Sequence, residues 1–82
     1  MTIATPDHTF SPDYLAVSPG TTVSWTFSGA THNVTFKELA PTGGNIPDTA
    51  PGTTVSRTFQ AVGDYDYQCT IHQGMKGRIR VR

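Results

Sequence analysis

Short runs in which apolar and polar residues alternate recur along this chain. Val23, Trp25 and Phe27 are separated by Ser and Thr, and Val34 and Phe36 repeat the pattern. Val55 and Phe59 sit in a run rich in Thr and Ser. Tyr65 and Tyr67 flank Asp66, and Ile79 and Val81 alternate with Arg78, Arg80 and Arg82. A period of two places each apolar set on one face of a strand and each polar set on the other. Tyr14 to Val17 predicts a further strand, and Thr2 to Phe10 an edge strand broken by Pro6, which has no N–H to give a ladder. Turn residues punctuate these runs at Ser18-Pro19-Gly20, Ser28-Gly29, Thr42-Gly43-Gly44-Asn45, Pro51-Gly52 and Gly63-Asp64. No window carries a helical period. Residues 37–51 hold three prolines and two glycines, which predicts a long loop with room for one short strand. The pattern is that of an all-β sandwich or barrel with about six to eight short strands and no substantial helix. Its predicted core is Phe10, Val17, Val23, Trp25, Phe27, Val34, Phe36, Val55, Phe59, Tyr65, Tyr67, Ile79 and Val81.

Length narrows this picture: 82 residues make one domain, spanning the whole chain, because two cores would not fit. A single cysteine excludes an internal disulfide and leaves a metal as the candidate staple for so small a core. Six Lys and Arg balance six Asp and Glu, which excludes general nucleic-acid binding. Four of the positive charges, Lys76, Arg78, Arg80 and Arg82, fall at the C-terminus. A solvated strand face is favoured there over a docking patch. No apolar run is long enough for a membrane span. The N-terminus lacks a basic segment followed by an apolar one, so no signal peptide is expected. A cytosolic chain, or a trimmed mature domain with an added Met1, fits that reading.

The segment Tyr65-Asp-Tyr-Gln-Cys-Thr-Ile-His-Gln-Gly-Met75 carries the chemistry. Cys69, His72 and Met75 recur at every third position, where one predicted strand ends and the next begins near Gly77. A loop of that length folds three side chains toward one point. Thiolate, imidazole and thioether together suit a soft or borderline transition metal, not calcium or magnesium. His32 is the best fourth ligand, because it starts a strand after the Gly29-Ala30-Thr31 loop and can face the same end of the sandwich. Zinc is disfavoured, since a thioether is a poor ligand for it. Two His and one Cys with a distant Met is the blue-copper set. Taken singly, a lone Cys, His or Met reads as core filler. Jointly, the only Cys and two of the three His occupy the slots such a site needs. His8 has no partner motif and is expected on the surface.

These residues resemble the cupredoxins, the type 1 blue copper proteins. The resemblance rests on Gly63-Asp-Tyr-Asp-Tyr-Gln-Cys-Thr-Ile-His-Gln-Gly-Met-Lys-Gly-Arg-Ile-Arg-Val81, and upstream on Phe10-Ser-Pro, Val17, Pro19-Gly20, Val23-Ser-Trp25 and His32-Asn-Val34. The two-residue gaps on either side of His72 are similar to those of amicyanin; plastocyanin-like members are similar in fold but carry a longer gap from His to Met. The resemblance implies a Greek-key β-sandwich with one type 1 copper that shuttles single electrons. It implies ligands His32, Cys69, His72 and Met75, with Asn33 giving its backbone N–H to the Cys69 sulfur and its side chain to the loop near Thr70. It further implies that His72 breaks the surface as the electron port, inside an apolar patch built from Gly29, Ala30, Pro41, Ile71 and Gly74. Redox partner proteins would dock there on a monomer, in the periplasm or another extracytoplasmic space. Three features depart from the pattern: Ile71 and Gln73 replace prolines, Phe27 replaces a polar residue, and the chain is short, as in a trimmed or engineered minimal scaffold. The function expected is electron transport, not enzymatic turnover. The alternative is a copper carrier or storage module. A Cys69–His72 nucleophile lacks an orienting partner, and a two-copper site lacks its second Cys.

Overall fold

Each alternating run forms a strand in the computed structural model, which describes all of residues 1–82. The strands are β1 (Thr2–Ala4), β2 (Tyr14–Val17), β3 (Thr21–Thr26), β4 (His32–Phe36), β5 (Ile46–Thr49), β6 (Thr54–Phe59), β7 (Gly63–Gln68) and β8 (Lys76–Val81). They make two sheets, ordered β1-β3-β6 and β2-β8-β7-β4-β5. β1 runs parallel to β3 and β2 parallel to β8, and the remaining neighbours are antiparallel. Consecutive strands β3 and β4 lie in different sheets, as do β5 and β6, and β6 and β7. These crossings give the Greek-key β-sandwich. The only helical segment is a single 3-10 turn at Pro6–His8. The predicted edge strand is there as β1, and it stops before Pro6.

The faces that meet between the sheets are those read from the alternation. Twelve of the thirteen predicted core residues are buried, with Val23, Trp25, Phe27, Val34, Phe59 and Ile79 at 0% exposure. Val55 is only half-buried, because β6 is the outer strand of the smaller sheet and one flank of it has no neighbour. Ile3, Ile46, Cys69 and Met75 complete the cluster. Trp25, Phe36, Phe59 and Tyr67 meet mostly edge to face at 5.6–6.3 Å, the arrangement aromatic quadrupoles favour. The Tyr65 hydroxyl donates to the Ala61 carbonyl at 2.7 Å, which makes its burial tolerable.

The two outer faces differ. Between β3 and β6, hydroxyls pair across the strands: Thr22 with Thr58, Ser24 with Ser56, and Thr26 with Thr54. Between β7 and β8, charges pair instead. Arg80 holds both carboxylate oxygens of Asp64 at 2.7 and 3.0 Å, and Arg78 holds those of Asp66 at 2.6 and 3.2 Å. These hydrogen bonds keep both carboxyls below the usual carboxylate range and both guanidiniums above theirs. Solvent screens such pairs, so they contribute little stability. They do cancel half of the C-terminal positive cluster, which leaves that strand a solvated face.

Candidate metal centre

The register of three strands converges at one end of the larger sheet. β7 and β8 pair out to Gln68↔Lys76, so Cys69 and Met75 are the next two positions on facing strands. The Cys69 N–H donates to the Met75 carbonyl at 2.9 Å, and the Met75 N–H to that of His72 at 3.3 Å. The chain between them is thus a closed loop, with Gly74 at φ 89°, a backbone region open to glycine and costly to others. Cys69 and Met75 are 3% and 1% exposed, while Thr70, Ile71, Gln73 and Gly74 face solvent.

β4 brings the second contribution. Its pairing with β5 slips between His32 and Val34, leaving Asn33 at an irregularity where ladder bonding is interrupted. The freed Asn33 N–H points at the Cys69 sulfur, 3.5 Å away. The Asn33 side chain then spans the gap. Its amide donates to Thr70 Oγ1 at 2.8 Å and to Asp48 Oδ1 at 3.0 Å, and its carbonyl accepts from the Thr70 N–H at 3.0 Å and from the Thr35 hydroxyl at 3.2 Å.

His32 is 1% exposed, and its Nε2 lies 3.2 Å from the Ser28 carbonyl. A carbonyl only accepts, so Nε2 carries the proton and Nδ1 keeps its lone pair. That Nδ1 is buried with no protein partner, as is His72 Nε2. Burial holds the His32 imidazole below its ordinary pKa, and His72 and His8 push the same way against the Ser28 carbonyl. A neutral imidazole with a free, buried lone pair is what a metal ligand requires. A buried thiol, a buried thioether and two buried nitrogens without partners therefore fit a soft or borderline ion.

His8 is exposed, as expected, but it is not without partners. Its ring sits 4.2 Å from that of His72 and 5.9 Å from that of His32, while His32 and His72 are 4.9 Å apart. One nitrogen from each of the three lies within 4.8 Å of the others; the Cys69 sulfur is outside this tight group. His72 is only half-buried, and the exposed His8 ring packs against it at a tilt of 43°. The expected apolar patch also loses a member: Pro41 is buried, while Gly29, Ile71 and Gly74 are exposed and Ala30 is half-buried.

The model of the copper-binding proteins of the plastocyanin/azurin family matches residues 1–82. The chain belongs to that family. It is 37% identical over 84 residues to a plastocyanin of Scenedesmus fuscus, covering 89% of this chain and 86% of the relative. It is 36% identical over 75 residues to amicyanin-alpha of Methylorubrum extorquens, covering 88% of this chain and 63% of that one. Among solved structures, the reduced Cu(I) form of an amicyanin P52G mutant superposes with a TM-score of 0.86 at 31% identity, over all of this chain and 81% of that one. The same fold recurs within a copper-containing nitrite reductase of Thermus scotoductus, with a TM-score of 0.90 at 28% identity over 22% of that chain.

Three residues that brace the site of this plastocyanin/azurin-family member are missed by sequence patterns. Thr5, 2% exposed, donates its hydroxyl to the Ser28 carbonyl at 3.3 Å and accepts the Ser28 N–H at 2.9 Å. Thr5 thereby fixes Ser28, and Ser28 fixes the His32 ring. Phe27, the apolar departure, is fully buried and stacks against His32 at 6.2 Å with an interplanar angle of 29°. Its position follows from the β3 alternation; its contact with His32 does not.

Proposed function

We propose that this protein is a small blue-copper electron carrier, holding one copper ion through His32, Cys69, His72 and Met75. Asn33 and Thr70 brace that set from behind. The observation that carries the reading is the His32–Asn33 pair. One residue offers a buried, partnerless Nδ1, and the next gives its N–H to the Cys69 sulfur. Copper, when bound, supplies the one-electron couple between Cu(II) and Cu(I). The chain's own part is positional. The Ser28 carbonyl orients the His32 ring, the closed loop holds Cys69 and Met75 on facing strands, and burial keeps water from both sulfurs. Ligands held this firmly move little between oxidation states, which favours fast electron exchange.

The protein is a carrier and not an enzyme in this reading, since protein side chains fill the coordination set and leave no position for substrate. Redox partner proteins dock on the exposed loop around His72 and Ile71, where Ile71 is 43% exposed. The family relationship supports an extracytoplasmic location. No helix is long and apolar enough to cross a membrane.

One experiment tests the reading. Adding Cu(II) to the apo protein should give an intense visible absorption that a reductant bleaches and that Cys69→Ser abolishes. A colourless complex that binds Cu(I) tightly would point instead to a copper carrier or storage module.

A further inference from the structure

His8 takes no part in the copper set, yet the chain spends backbone strain to place it. Asp7 and His8 both have positive φ, 50° and 57°. That conformation is uncommon for residues with a Cβ, although Asp and His adopt it more readily than most. The turn is locked by Thr9, whose N–H and hydroxyl both donate to the Pro6 carbonyl, at 3.0 and 2.6 Å. The result is an imidazole 4.2 Å from the His72 ring and 5.9 Å from that of His32, so the three rings stand at the corners of a triangle. Aromatic packing alone explains the ring contact. It also sets His8 beside the same buried, partnerless His72 Nε2 and His32 Nδ1 that the copper reading uses. Such orphan groups are costly unless something binds them.

We propose that His8, His32 and His72 form a second, thiolate-independent metal site that takes one Zn2+ or similar borderline divalent ion. The three nitrogens lie within 4.8 Å of one another. Around a tetrahedral zinc with bonds of ~2.0–2.1 Å they would stand ~3.4 Å apart. Small rotations of the rings, the largest at the exposed His8, would close that difference. Three imidazoles are a hard enough set for zinc, unlike the thioether side of the centre. An open groove of about 190 Å3 has His8 and His32, though not His72, in its wall and gives solvent access from that side of the cluster. The site shares His32 and His72 with the proposed copper set but needs neither Cys69 nor Met75. The two ions therefore exclude each other, and zinc bound on the His8 side blocks copper loading.

The inference rests on the copper reading only for that competition, and its test is separate. In the full chain, Cys69→Ser with Met75→Leu removes both sulfurs. Calorimetric titration of that variant with Zn2+ should show one equivalent bound. Adding His8→Ala should weaken it by at least about tenfold, the scale at which even an outer partner of a ligand matters. Equal zinc affinity with and without His8 overturns the proposal, as does no binding by a variant that circular dichroism shows to be folded. Should the double variant not fold, the native chain labelled with 15N-histidine replaces it. Zn2+ should then move a His8 ring nitrogen by a coordination-sized shift, and a His8 resonance that stays in place overturns the proposal. Failure of the copper reading would show elsewhere, as absence of colour when the native chain meets Cu(II).

Discussion

The two halves of the candidate centre are built in opposite ways. His32 and Asn33 lie on a strand, are 1% and 6% exposed, and are held from several directions by Ser28, Phe27, Thr35 and Asp48. The Cys69–Met75 loop has an exposed backbone between two buried ends, closed by two of its own hydrogen bonds. What stiffens its first residue comes across from the strand: Asn33 holds Thr70 through two bonds and the Cys69 sulfur through a third. The strand half is fixed by the fold, whereas the loop half is fixed by the strand half. An exposed loop can thus present the candidate ligands Cys69, His72 and Met75, because one asparagine ties it to the sandwich.

Breaking that bridge should have the largest effect. Asn33→Ala leaves the Thr70 N–H without its partner and frees the Thr35 and Asp48 side chains, at an expected cost of about 2–3 kcal/mol in denaturant unfolding of the apo protein. The copper absorption should shift as well. An Asn33→Ala protein with unchanged stability and spectrum would mean that the loop is rigid on its own. Thr5→Val should cost less, about 1–2 kcal/mol, since it removes the two bonds to Ser28 while keeping the side chain's shape. Here the comparison sharpens. Amide exchange at Ser28 should quicken while that at Thr70 stays as it was, and equal quickening at both would show the halves to be one unit.

Acid should act on the strand half, and more gently. The folded His32 pKa lies below its ordinary value of 6.5, so the folded state prefers the neutral ring. The stability this gives is complete above that ordinary value. It is lost as pH falls from there to the lowered folded pKa, because the unfolded chain binds the proton first. Each unit of depression is worth ~1.4 kcal/mol. Denaturant midpoints of the apo protein should fall across that window, and His32→Leu should flatten the fall. Matching slopes in both proteins would remove burial of His32 as the cause.

Strand positions were legible because a half-buried strand leaves a period-two signature, and Val23, Trp25, Phe27, Tyr65 and Tyr67 carry it without interruption. Val55 obeys the same rule, but alternation cannot tell an outer strand from an inner one. β5 was harder still: Pro47 within Ile46–Thr49 looks like a loop residue, and an edge strand is where proline is tolerated. In the candidate site, Cys69, His72 and Met75 announce themselves by even spacing on one loop, and His32 by its place at a strand start. Thr5, Ser28 and His8 do not, since their roles arise from approaches between segments far apart in the chain. The turn that swings His8 over His72 uses left-handed backbone at Asp7 and His8, a conformation that glycine would have advertised and these residues conceal.

The account stands on a thiolate and two imidazoles sharing one ion. X-ray absorption at the copper edge of the Cu(II)-loaded native protein reads that directly. A first shell with one short sulfur and two imidazole nitrogens is the predicted result. A shell of nitrogen and oxygen only, with no short sulfur distance, would contradict it.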